Sequence, residues 1–227
     1  LDGDVDAHRT WMRDAIAGAD RVIVDTFPAG IPGELSGVDA RMELVARSLR
    51  WDAYRRAVSA PLPRFDTIWS IEPLEAEHES ALRAHATSWR ELDLRADDRL
   101  RACRSTRPVE WRALSPPNLN YWLIVHSGPA DEVRELVAHA EELGRIEGPP
   151  ERVLVATRCA IALPEGFELI DAYPVTQLFA GAEKIISAAG FNIMLETESC
   201  REKHHPVPFA RRYDDQYARA MRRRTSS

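Results

Sequence analysis

Short apolar runs alternate with helical patterns along the chain. Residues 21–25 (RVIVD), 66–74 (DTIWSIEPL), 120–128 (NYWLIVHSG) and 151–158 (ERVLVATR) are brief and rich in valine, isoleucine and aromatics. Residues 167–174 (FELIDAYP) and 183–190 (EKIISAAG) continue the series. Brief apolar runs separated by helices predict buried parallel strands in βα units. One intervening helix is plain. ADEVRELVAHAEELGRI places Val133, Leu136, Val137, Ala140 and Leu143 on one face, and Gly144 followed by EGPP predicts its end. The opening residues read as a further helix that feeds the RVIVD strand. The stretch 76–107 is different, being charged and without a continuous apolar pattern. Pro108 and the twin Pro116–Pro117 follow it, and then a fresh strand. That punctuation predicts two α/β units, 1–115 and 116–227.

Composition narrows the function classes. The formal net charge of −6 argues against broad nucleic-acid binding, which depends on basic surface, and the local Arg222, Arg223, Arg224 run does not reverse this. No apolar run approaches the roughly 20 residues of a membrane-crossing helix. Cys103, Cys159 and Cys200 are odd in number and form no CxxC pair, which fits a reducing, cytoplasmic setting. The sequence starts at Leu1 with a helix and no preceding strand. It therefore reads as a piece whose opening strands lie upstream.

Candidate chemistry gathers where strands hand over to helices in the second half. WLIVHSGPADEV is a strand, a turn at Ser127 and Gly128, and a helix with Pro129 near its start. Such a turn can present backbone N–H groups to a phosphate, although strand–glycine–helix turns are also common as plain connections. KIISAAGFNIMLE repeats the arrangement. Ala189 and Gly190 allow close approach of a ligand, Asn192 suits a helix cap or a ligand, and Glu196 can accept hydrogen bonds from vicinal hydroxyls. In VPFARRYDDQYARA, Asp215 and Gln216 open the next helix and Arg219 lies one turn on. Taken singly, each residue has an ordinary capping or surface role. In series at successive strand ends they surround one crevice, the place where open α/β sheets bind ligands.

This order resembles the donor half of GT-B glycosyltransferases, and most closely the family that adds N-acetylglucosamine to lipid I in peptidoglycan synthesis. The resemblance rests on the Gly turn, the Ser/Ala-Gly turn with a glutamate at i+6 (Gly190 and Glu196), and the Asp-Gln helix start (Asp215 and Gln216). ADRVIVDTFPAGIPGEL and FDTIWSIEPL in turn resemble the end of the N-terminal domain of predicted bacterial glycosyltransferases. The resemblance implies a GT-B-like α/β fold of two Rossmann-like units with parallel sheets, the first incomplete. It also implies transfer of a sugar from a nucleotide donor, UDP-linked, to an acceptor hydroxyl, with inversion and without a metal or other cofactor. Glu196 would hold the ribose, Asp215 and Gln216 the sugar, Ser127, Gly128 and Gly190 the phosphates, and the backbone at Ala172 and Tyr173 the uracil. Arg219 stands where the family has asparagine, and HSGPA is poorer in glycine than the family's first phosphate loop.

Other readings stay open: the donor-binding subunit of a split enzyme, a nucleotide-sugar epimerase, or a non-catalytic nucleotide-binding module. The implied partners are a nucleotide sugar and an unnamed acceptor, with a peripheral membrane contact or a partner chain as further expectations. Asp25, after the first strand, is the one candidate catalytic residue, although an aspartate commonly ends a strand. Cys200, His204 and His205 invite a metal reading, but adjacent histidines outside a CxxC or HExxH frame rarely share one ion. His126 adjoins the first phosphate turn.

Overall fold

The computed structural model describes residues 5–94 and 120–225. The chain divides into two compact units. The first holds residues up to Leu94 together with Arg211–Asp215, and the second holds Arg95–Ala210 together with Gln216–Ser227. The predicted boundary at 115/116 lies outside the described residues. The segment Arg211–Asp215, expected in the second unit, clusters with the first.

In the first unit, β1 (Val22–Asp25), β2 (Met42–Ala46), β3 (Phe65–Ser70) and β4 (Ala86–Glu91) form a parallel sheet in the order β1-β2-β3-β4. The helices are α1 (Val5–Ile16), α2 (Trp51–Ala57) and α3 (Ala76–Arg83). Leu44, Tyr54, Phe65, Ile68 and Leu82 fill the core and are almost wholly removed from water. The segment at 211–215 is tied in by backbone bonds. Arg50 donates its N–H to the Tyr213 carbonyl (2.7 Å), Leu49 bridges Asp214, and the Tyr213 ring enters the core.

The second unit is a five-stranded parallel sheet in the order β7-β6-β5-β8-β9. Its strands are β5 (Tyr121–Val125), β6 (Arg152–Ala156), β7 (Phe167–Ile170), β8 (Lys184–Ala188) and β9 (His204–Val207). The helices are α4 (Ala130–Glu147), α5 (Phe191–Glu196) and α6 (Gln216–Thr225). The central strands YWLIV and KIISA are buried nearly throughout, as expected for a sheet covered on both faces. α4 continues past Gly144 and stops at Gly148, whose φ of 96° suits glycine at a helix end. The fold is thus α/β, built from two sheets of parallel strands of the Rossmann-like kind.

Candidate functional site

The strand order of the second unit reverses between β5 and β8. The chain builds β5, β6 and β7 outward on one side, then returns to place β8 and β9 on the other. In open α/β sheets such a reversal is where loops diverge at the carboxyl ends of the strands and ligands bind. Val125 and Ser187 are register partners. Gly128 lies three residues past the first and Gly190 three residues past the second, so both turns leave the sheet at one level, on strands about 4.8 Å apart. Ser127 with Gly128 and Ala189 with Gly190 thus follow neighbouring strands of the sheet. Ala172 and Tyr173 follow β7, two strands from β5, and the Tyr173 side chain is exposed.

The two glycines are there for different reasons. A Cβ on Gly128 would lie 2.4 Å from His126 Nε2 and 3.2 Å from Glu132 Oε2. These two side chains meet each other at 2.7 Å and are largely shielded from water. His126 also stacks on Phe209 beyond β9, with ring centroids 5.7 Å apart and planes 16° from parallel. Cys159, after β6, directs its thiol to the Gly128 carbonyl at 2.9 Å. Gly128 is small so that this cluster can close. The expected result for Gly128→Ala is a displaced His126 ring and a loss of about 1–2 kcal/mol in urea unfolding, since forcing atoms into a filled site costs that much. An unchanged unfolding midpoint would mean that the ring moves aside freely.

Gly190 has no such reason. Its φ is −69° and ψ 152°, open to any residue, and a Cβ there would meet no described atom within 4 Å. Neither backbone conformation nor packing calls for glycine. Asn192 is exposed on α5, and Glu196 is that helix's last residue, about 9 Å along the axis from Gly190. Gln216 starts α6 as predicted, but it is buried, and its Oε1 accepts the Phe209 N–H at 3.0 Å. Arg219 is buried as well. Its guanidinium donates to the Ala189 carbonyl at 3.0 Å and lies 5.9 Å from the centre of the Phe191 ring. Asp215 falls in the segment that clusters with the first unit.

A buried polar chain joins Ser187, His204 and Thr197, of which the sequence reading singles out only His204, in its metal reading. His204 meets Ser187 Oγ through Nε2 and Thr197 Oγ1 through Nδ1, each at 2.8 Å. Both ring nitrogens are occupied within the fold, which leaves none for a metal. Burial above all, with help from Arg223 and His205, lowers the His204 pKa to about 3, so the ring is neutral near pH 7. Among the described residues, no group of three or more His, Cys, Asp or Glu is placed to hold a metal ion. No described helix is long and apolar enough to cross a membrane.

In the first unit, Asp25 ends β1 at the carboxyl edge of its sheet. Arg47 engages both of its carboxylate oxygens, and the Thr26 hydroxyl donates to one of them at 3.0 Å. Thr26 has a φ of 71°, the left-handed region that is uncommon for a β-branched residue.

No protein-family description matches this chain, and no curated protein matches it. Among solved structures it is similar to the crystal structure of the glycosyltransferase SnogD from Streptomyces nogalater, at 11% identity and a TM-score of 0.40. The likeness covers 96% of this chain and 62% of that one, so the chain spans less than two thirds of that protein's length.

Proposed function

We propose that the chain is a glycosyltransferase whose second unit grips a nucleotide-sugar donor, with UDP-N-acetylglucosamine the first to test. An acceptor hydroxyl oxygen would attack the anomeric carbon as the bond to the diphosphate breaks. The acceptor proton would pass to a base, and the configuration would invert. Fixed backbone N–H groups at the two turns would meet the negative charge on the departing diphosphate, with no metal required. The Glu196 carboxylate would accept hydrogen bonds from the ribose hydroxyls. No base is assigned.

The observation that carries this reading is Gly190. A glycine that its own fold does not require, facing open space at the switch point, suits close approach by a ligand. The motif of Gly190 with Glu196 at i+6 supports the same reading. Gly190→Ala tests it, because Ala is accommodated there by backbone and neighbours alike. Stability should change by no more than about 1 kcal/mol, the typical penalty for Ala at a helix cap. UDP affinity should fall by about tenfold or more. Equal affinity of the two proteins for UDP would remove the phosphate from this turn.

A further inference from the structure

α5 cannot hold its own position. It is six residues long, well short of the 12–15 residues at which an isolated helix becomes even marginal in water, and no side chain caps its start. Backbone bonds at its two ends run from Met194 N–H to the Gly190 carbonyl at 3.1 Å and from Thr197 N–H to the Ile193 carbonyl at 2.9 Å. Ile193 packs on the core of the sheet and the Thr197 hydroxyl donates to the Ile193 carbonyl at 2.8 Å, and further ties come from α6. Arg219 and Arg223 lie one helical turn apart on the inward face of that helix, and they are 4% and 8% exposed. Arg219 donates to the carbonyl of Ala189, the residue just before Gly190. Arg223 donates to the carbonyl of Met194, in the last turn of α5, and to Thr197 Oγ1 at 3.3 Å. Glu198 balances Arg223 at 3.0 Å, and Arg201 grips the Arg223 carbonyl at 3.1 Å. Two aliphatic side chains would cover the same face without desolvating two guanidinium groups, which is unfavourable unless their hydrogen bonds matter.

We propose that Arg219 and Arg223 form a latch that fixes the β8–α5 turn at both ends and so sets the aim of the Gly190 and Phe191 amides. They are positioning residues, since they act through carbonyls of the chain. Arg219 holds the turn where it leaves the sheet, and Arg223 holds the far end of α5, next to Glu196. The turn thereby enters binding already ordered, which lowers the ordering loss that a ligand must offset. The role assigned to the latch in donor binding rests on the reading of the second unit given above.

The test compares the full chain with Arg219→Met, Arg219→Lys and Arg223→Lys. Met and Lys keep the buried stem, so the fold should survive. Hydrogen exchange is followed by mass spectrometry in peptides spanning 189–197 and in β5 and β6, and each protein is titrated with UDP. For Arg219→Met, exchange across 189–197 should quicken by about tenfold or more, the scale of one lost bond to a charged group, while β5 and β6 stay unchanged. Arg219→Lys should restore most of the protection, and Arg223→Lys should loosen 194–197 more than 189–191. UDP affinity should follow the exchange, falling about tenfold in Arg219→Met and recovering in Arg219→Lys. Unchanged exchange at 189–197, or a uniform rise across the unit, would overturn the latch. Faster exchange with undiminished UDP affinity would separate the latch from donor binding. A wild-type chain that binds no UDP would remove the donor reading, while the exchange data still decide the latch.

Discussion

At pH 5, His78→Phe is expected to be more stable than wild type by about 2 kcal/mol, with most of that advantage gone at pH 8. His78 lies on α3, is wholly buried, and stacks on Trp51 with centroids 4.3 Å apart and planes 13° from parallel. Neither ring nitrogen has a hydrogen-bond partner among the described residues. Burial lowers its pKa from the ordinary 6.5 to about 4. The unfolded chain therefore takes up a proton near pH 6.5 that the folded chain refuses until near pH 4, and acid favours unfolding across that window. The stabilisation is complete above pH 6.5, is lost as the pH falls, and the deficit is full below pH 4. Linkage over these two values gives about 2 kcal/mol at pH 5. Phe keeps the stack and has nothing to protonate, and His78→Leu serves if Phe overfills the site. Urea midpoints at pH 8 and pH 5 measure the difference. Equal acid sensitivity in wild type and variant would place a proton-accepting partner beside His78. In the second unit His204, lowered to about 3, works in the same direction and keeps some acid sensitivity in the His78 variants.

Tyr54→Phe is expected to lose about 3 kcal/mol. The loop after β1 is buried at Pro28, Ala29 and Gly30, although it carries no regular structure of its own. A buried loop needs partners for its backbone, and one hydroxyl supplies two. Tyr54 accepts the Ala29 N–H at 2.9 Å and donates to the Gly30 carbonyl at 2.8 Å. Burial, opposed in part by the Ala29 bond, pushes the phenol's pKa well above its ordinary value, so the donating proton stays in place. Removing the oxygen strands a donor and an acceptor away from water, each worth about 1–3 kcal/mol. The ring still packs among Phe27, Trp51 and Tyr213, so the loss should come from polar groups and leave the core intact. A loss below about 1 kcal/mol in chemical denaturation would show that water reaches the loop.

The strands of the second unit were legible because their neighbours bury both faces. YWLIV, RVLVA and KIISA need apolar residues at nearly every position, and such runs stand out in a sequence. β4 was not legible. ATSWRE is an edge strand whose residues remain at least partly exposed, and α3 before it is an eight-residue helix with two buried positions. Both fall in the charged stretch that shows no continuous apolar pattern. Their places are set by contacts with β3 and Trp51, which the local sequence does not display. At the site, the glycines and the order of turns could be read from spacing alone. The bracing could not. Gln216 and Arg219 read as ligand-facing polar residues, yet the fold turns them inward to Phe209 and Ala189. A polar residue at a helix start looks the same in sequence whether it serves a ligand or a neighbouring carbonyl.

If the β5–β8 switch point holds a nucleotide sugar, calorimetric titration of the chain with UDP will register it. The expected result is one site per chain with a Kd on the order of micromolar, about −8 kcal/mol. Glu196→Ala should weaken it by about tenfold or more, the loss of a carboxylate's bonds to ribose hydroxyls. A folded chain that takes up no UDP at millimolar concentration, or one that binds equally well without the Glu196 carboxylate, would contradict the account.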